Sequence, residues 1–339
     1  MKISVALASY NGEKYIKEQL ESILNQSVQV DEIVVSDDGS KDSTVEIVKA
    51  FNDSRIVLLQ DNVNHGYTGN FEHALKHTTG DIIFLSDQDD VWMPNKVERH
   101  LSVFESNPEV GLVITDGVII DKYGKETPEK RVLKAFNAAL GAKESGTLSR
   151  KEYLSTATNV CLANGMALCI TRRTLIEATP FPDCTIAHDH FLCFTALNLF
   201  SVYYLHEPLV KYRIHGENVS ILTKDDSFAK RLKRSMRRSY IFPYDQYNLA
   251  FAILKQLNEN NPDNKQSISI AQETLQISLR QTLALEKNPL LSLCCICNMF
   301  FSNAKYRAYG KKYFLSQLMF VITKRFFFKK NELSRTRST

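Results

Sequence analysis

Apolar residues follow two rhythms along the first 120 positions. Short unbroken runs at residues 3–8, 33–35, 56–59, 82–85 and 111–115 read as strands buried on both faces, as in a parallel sheet. Between them the spacing lengthens. Tyr15, Ile16, Leu20, Ile23 and Leu24 recur at helical intervals, as do Val45, Ile47, Val48 and Phe51, and Phe71 to Lys76 continues the pattern. Asn11 is expected to cap the first helix and Asp42 or Ser43 the second, with Pro94 in the first turn of a later one. This alternation predicts an α/β fold: a doubly wound, mostly parallel sheet flanked by helices, with right-handed crossovers. Ligands of such sheets bind beyond the carboxyl ends of the strands.

Residues 121–220 read as a mixed continuation of the same domain. A strand is expected over 166–170 and another over 202–205. A helix should begin near His188-Asp189-His190 and bury Phe191, Leu192, Phe194, Thr195 and Leu197. After residue 221 the pattern turns mainly helical, over 245–258 and 266–286, and 334–339 is expected to be disordered. Two parts, 1–220 and 221–339, follow.

Charge sharpens that division. Residues 1–220 carry 21 Lys+Arg and 30 Asp+Glu, a balance of −9, whereas 221–339 carry 21 and 8, a balance of +13. An acidic part suits a cation, and a basic part suits an anionic surface. Lys230, Arg231, Lys233, Arg234, Arg237 and Arg238 cluster, and Phe326, Phe327 and Phe328 stand among Lys324, Arg325, Lys329 and Lys330. This is either a helical subdomain with a solvated basic face, able to self-associate as a homo-oligomer, or an element that lies on an anionic membrane surface. No recognition motif supports nucleic acid. The seven cysteines read as reduced, and Cys294, Cys295 and Cys297 lack the second pair that zinc would need. No signal peptide and no apolar run of about 20 residues is present, so a cytoplasmic catalytic part is expected.

Three polar clusters follow three strands: Ser9-Tyr10-Asn11-Gly12, Ser36-Asp37-Asp38-Gly39-Ser40 and Ser86-Asp87-Gln88-Asp89-Asp90. All three should meet in one cleft. Three carboxylates within four residues repel one another, and a hard divalent cation such as Mg2+ or Mn2+ removes that penalty while binding a substrate's phosphates. Neither a GxGxxG fingerprint nor a P-loop occurs.

These motifs, in this order, resemble family 2 nucleotide-sugar glycosyltransferases of the GT-A fold over roughly residues 1–220. Residues 8–12 resemble the family's opening loop, Asp37-Asp38-Gly39-Ser40 its DDGS signature, Asp87-Gln88-Asp89-Asp90 its DxDD, His188-Asp189-His190 its catalytic-base segment, and residues 212–220 its closing loop. The DQDDVW, HDHF and YRxHGxN combination is most similar to bacterial polysaccharide rhamnosyltransferases. The processive members' QxxRW is absent. The resemblance implies an inverting transfer from a dTDP- or UDP-sugar, rhamnose favoured, to a glycan on an undecaprenyl-type lipid at the cytoplasmic face of the membrane. It implies that Asp189 is the general base and that Asp87 and Asp89 hold the metal. His215 would complete the metal shell or contact the diphosphate. Asp38, with Asp37, would accept the base N–H, and Ala8, Tyr10 and Asn11 would line the nucleoside pocket. Arg213 would pair with the diphosphate or brace Asp189, and Gln88 would face the sugar. Many relatives have Glu where His188 stands. A nucleotidyltransferase and a catalytically inert sugar-binding scaffold are the competing classes.

Overall fold

A computed structural model describes residues 1–60, 63–128, 132–133, 144–148, 164–182, 185, 187–215 and 218, with six further positions between 254 and 272. The chain divides into two compact units. The first comprises Met1–Phe136, Ala142–Tyr153 and Cys161–Thr223. The second comprises Asn137–Gly141, Leu154–Val160 and Lys224–Thr339. Leu254, Lys265, Ile268, Ser269, Ala271 and Gln272 are its described residues, and all six are helical. The basic run 230–238, the cysteines at 294, 295 and 297, the aromatic and basic residues 306–330 and the terminal 334–339 lie outside the described residues.

In the first unit, β1 (Ile3–Ser9), β2 (Glu32–Asp37), β3 (Ile56–Gln60) and β4 (Ile82–Asp87) alternate with α1 (Ile16–Leu24), α2 (Thr44–Ala50) and α3 (Gly66–His77). The four strands are mutually parallel in the order β3-β2-β1-β4. Their register is flush where it matters. Ser9 pairs with Asp37, Asp37 with Gln60, and Ala8 with both Ser36 and Asp87, so the polar clusters leave the sheet at one level. β1 and β4 are buried along nearly their whole length, and α3 packs on β1 and β2.

The remaining strands make the sheet mixed. Beyond β4 come β8 (Leu168–Thr171), antiparallel to its neighbours, then β6 (Val110–Asp121), β9 (Ser201–Ile214) and the short β5 (Val91–Trp92), with β7 (Gly146–Thr147) also on β9. β6 and β9 run parallel and are longer than their apolar runs imply. The run in β6 stops at Thr115, but Asp116 continues the strand because its buried carboxylate accepts the N–H of Gly117 at 2.7 Å and of Leu133 at 3.0 Å. A buried polar group that is satisfied need not end an element.

The other helices are α4 (Lys96–Ser106), α5 (Arg172–Ala178) and α6 (His188–Leu199). Pro94 precedes α4 rather than entering its first turn. Every residue of α6 except Asp189 and Leu199 is buried, as expected of a helix that is largely apolar all round.

α4 carries a buried histidine with a consequence for stability. The His100 ring bonds the Lys96 carbonyl through Nδ1 at 2.7 Å, and its Nε2 has no hydrogen-bond partner. Burial, then the Lys96 charge, push its pKa down from 6.5 to about 3. A base whose folded pKa is depressed contributes no penalty above its unfolded pKa, and stability falls as pH drops through the window between the two. Between pH 6.5 and 5.5, wild-type protein should therefore lose about 1 kcal/mol more stability than His100→Leu. Urea unfolding of both proteins at the two pH values checks this.

Candidate active site

The three strand-end loops lock together. Ser9 Oγ donates to Asp37 Oδ2 at 2.9 Å, and Asp37 also accepts the Ser40 amide at 2.8 Å and the Ser40 hydroxyl at 2.6 Å. Asn11 bridges the first two loops, because its N–H donates to Ser40 Oγ and its Oδ1 accepts the Lys41 N–H, both at 2.8 Å. It adopts a left-handed φ of 49° and does not cap α1, whose preceding residue is Tyr15. The first loop joins the third through Gln88, whose amide accepts the Tyr10 N–H at 2.8 Å and donates to the Tyr10 carbonyl at 2.9 Å. Gln88 thus braces a loop instead of being free to face a sugar. Gly12 makes room for it, since a Cβ there would lie 2.1 Å from Gln88 Oε1.

The acidic loop is held from the far end of the sheet. Arg213, near the end of β9 and almost fully buried, donates its backbone N–H to Asp90 Oδ1 at 3.1 Å and its Nε to the Asp89 carbonyl at 2.8 Å. Its guanidinium also pairs with Glu18 at 2.6 Å and stacks 4.8 Å from the Tyr15 ring. In this arrangement Arg213 braces the Asp89-Asp90 backbone. His215 Nε2 lies 2.7 Å from Asp89 Oδ2, and Asn218 reaches the same oxygen at 3.2 Å.

Electrostatics mark this loop. Burial, then the charges of Asp89 and Asp189, push the Asp87 carboxyl up to about 8, against a smaller pull from Lys96. Burial, then Asp89 and Asp87, raise Asp90 well above the carboxylate range. Asp90 is fully buried, so it belongs to the scaffold of the loop. Beneath both lies Lys96, with no exposed surface, its Nζ donating to the Met166 carbonyl at 2.7 Å and lying 4.3 Å from the Trp92 ring centre. Burial pulls its pKa down to about 7. The sequence reading passed over Lys96, yet its spacing with Val97, His100, Val103 and Phe104 places it on the apolar face of α4.

Asp189 stands in the first turn of α6, where the helix dipole favours a carboxylate, and it accepts the His190 N–H at 2.7 Å. Asp38 is buried, accepting the N–H of His65 at 2.6 Å and of Gly66 at 3.0 Å, which ties it to the start of α3. A carboxylate offers about four lone-pair sites, so two remain for a ligand N–H. Ala8 is half-buried between Ser36 and Asp87, and Tyr10 is exposed. Asn70 was not anticipated: its Nδ2 donates to the Ser9 carbonyl at 3.1 Å while its buried Oδ1 has no hydrogen-bond partner.

The sequence model of glycosyl transferase family 2 matches residues 4–173, half of the chain. The chain belongs to this family. It is 28% identical over 222 residues to an uncharacterized glycosyltransferase of Nostoc, covering 64% of this chain and 66% of that protein. It is 38% identical over 105 residues to WfgD of Escherichia coli, a UDP-Glc:alpha-D-GlcNAc-diphosphoundecaprenol beta-1,3-glucosyltransferase, covering 31% of this chain and 42% of WfgD. The chain thus spans less than two thirds of the length of these relatives. Among solved structures, residues 1–349 of S. aureus TarS in complex with UDP match at a TM-score of 0.56 with 16% identity, covering 96% of this chain and 91% of that one. This likeness establishes a GT-A-like fold.

Proposed function

We propose that this protein transfers a hexose from a nucleoside diphosphate donor to a hydroxyl of a lipid-diphosphate-linked glycan, inverting the anomeric centre. The observation that supports the reading is that the Asp189 charge helps to raise the Asp87 carboxyl, as expected if a base and the acidic loop serve one cleft. Asp189 accepts the acceptor's hydroxyl proton as that oxygen attacks the anomeric carbon from the side opposite the departing diphosphate. Asp38, with Asp37 holding its loop, receives the N–H of a uracil or thymine ring beside Ala8, Tyr10 and Asn11. Rhamnose was the sugar expected from the motifs. The WfgD likeness favours a UDP-hexose instead, because WfgD takes UDP-Glc.

Among the described residues no three His, Cys, Asp or Glu side chains form a ready-made metal cage. Asp87, Asp89 and His215 nevertheless fit a Mg2+ or Mn2+ ion that draws its other ligands from water and the diphosphate. The like-charge crowding that raises Asp87 is relieved by such an ion. A bound cation supplies charge neutralisation for the leaving diphosphate. The mannosyltransferase PcManGT of Pyrobaculum calidifontis, with a TM-score of 0.50, was solved with GDP-Man and Mn2+.

The deciding experiment incubates the protein with Mg2+ or Mn2+, lipid-diphosphate-linked GlcNAc and, in turn, UDP-glucose, UDP-GlcNAc and dTDP-rhamnose. Release of UDP or dTDP with a longer glycan supports the reading. Pyrophosphate release points to a nucleotidyltransferase, and no release points to a sugar-binding scaffold.

No helix among the described residues is long and apolar enough to cross a membrane. The +13 balance of residues 221–339 supports peripheral attachment to an anionic bilayer, where each basic residue near the surface contributes about 1 kcal/mol. Full-length protein should then sediment with phosphatidylserine vesicles at low salt and be released as salt rises. A protein that ignores such vesicles assigns the basic part to self-association.

A further inference from the structure

His188 opens α6 immediately before Asp189, yet nothing in the proposed transfer uses it. Its surroundings are built around it. The ring is 6% exposed and stacks on Phe71 of α3, with centroids 3.8 Å apart and planes 24° from parallel. The half-exposed Tyr67 meets it edge-on at 6.4 Å. On the other side Gly165 leaves space for the ring, since a Cβ there would lie 2.6 Å from His188 Nε2. The ring plane is therefore fixed from two sides. Despite this, neither Nδ1 nor Nε2 has a hydrogen-bond partner.

A buried imidazole with both nitrogens unmatched is unfavourable, and such groups are usually satisfied by something the polypeptide does not supply. The form of the ring narrows the choice. Burial pushes its pKa down to about 3, so at neutral pH it is uncharged. A neutral imidazole carries one N–H donor and one bare nitrogen acceptor. A phosphate or a carboxylate offers acceptors only and would favour a cation in its place. A hydroxyl both donates and accepts, which matches either nitrogen.

We propose that His188 binds a sugar hydroxyl in the cleft served by Asp189, and so contributes to choosing which sugar is bound there. This rests on the glycosyltransferase reading of the same site. The hydroxyl belongs to the donor's sugar or to the acceptor's, and the chemistry of recognition is common to both.

His188→Phe keeps the ring stack on Phe71 and removes both nitrogens. Its thermal midpoint should equal or exceed that of the wild type, because an unmatched polar group has been removed. Calorimetric titration with UDP-glucose and with UDP reads the donor side. If the donor's sugar is the partner, the affinity for UDP-glucose relative to that for UDP should fall by about tenfold, the usual worth of one hydrogen bond, with UDP affinity unchanged. If the acceptor is the partner, both titrations stay as in the wild type and KM for lipid-diphosphate-linked GlcNAc rises by about tenfold. His188→Asn or His188→Gln should recover part of the loss, depending on which nitrogen makes the contact. These variants also keep the test decisive should the Phe variant fold poorly. Unchanged titrations and unchanged KM in all three variants overturn the proposal and leave a ring satisfied by buried water. A wild type that binds no nucleotide sugar and shows no transfer overturns the functional reading itself, and this assignment with it.

Discussion

Asp89→Asn should lower the rate of sugar transfer on the order of a thousandfold while leaving the protein folded, as expected for a cation ligand whose loss removes several kcal/mol of transition-state stabilisation. The substitution keeps size and shape. An amide at this position still offers an oxygen to His215 and Asn218, which contact the same Asp89 oxygen at 2.7 and 3.2 Å. Arg213 holds Asp89 through its backbone carbonyl, a contact the substitution does not touch. The thermal midpoint should therefore move little, and the loss should appear in turnover. Chelation by EDTA should give the same loss in the wild type, reversed by added Mn2+ or Mg2+. Full activity in EDTA, or wild-type turnover in the variant, would show that the acidic loop acts without a metal.

The strand-end geometry of this site was legible in the sequence because it is local. Each polar cluster follows its own apolar run, and parallel pairing makes the ends coincide. Reading strands 3–8, 33–35 and 82–85 was enough to bring Ser9, Asp37 and Asp87 to one edge. α6 was equally legible, since its buried residues stand at the positions its apolar pattern marked. In each case one segment carries the whole signal.

What the sequence did not reveal depends on partners far apart in the chain. Arg213 contacts Glu18 and Asp89, 195 and 124 residues away, and only the assembled sheet makes these meetings possible. Knowing its residue type could not show whether that guanidinium faced a diphosphate or its own backbone. Gln88 is similar: its bonds to Tyr10 span 78 residues and depend on the absence of a side chain at Gly12. Asn11 looked like a cap because its type favours caps. The loop instead used its tolerance of positive φ and its side-chain oxygen to join two strand ends. Lys96 and His100 were hidden differently, since a lysine and a histidine on an apolar helix face invite the assumption that they point to solvent.

Asp189→Asn should reduce the turnover number by a hundredfold or more, the usual worth of a general base, with donor affinity within about twofold of the wild type. The two measurements separate because the proposed contact is to the acceptor hydroxyl alone. An amide there retains an oxygen for the His190 N–H, now at 2.7 Å, so the first turn of α6 should persist. A second effect sharpens the test. Asp189 is one of the charges that raise Asp87, so neutralising it should ease the crowding at the acidic loop. Metal affinity, read as the Mn2+ concentration for half-maximal donor binding, should then hold steady or weaken only modestly while turnover collapses. A purely structural role predicts the opposite pairing, with donor and metal binding lost together with the fold. Loss of donor affinity at unchanged turnover would move Asp189 out of catalysis and into the donor pocket.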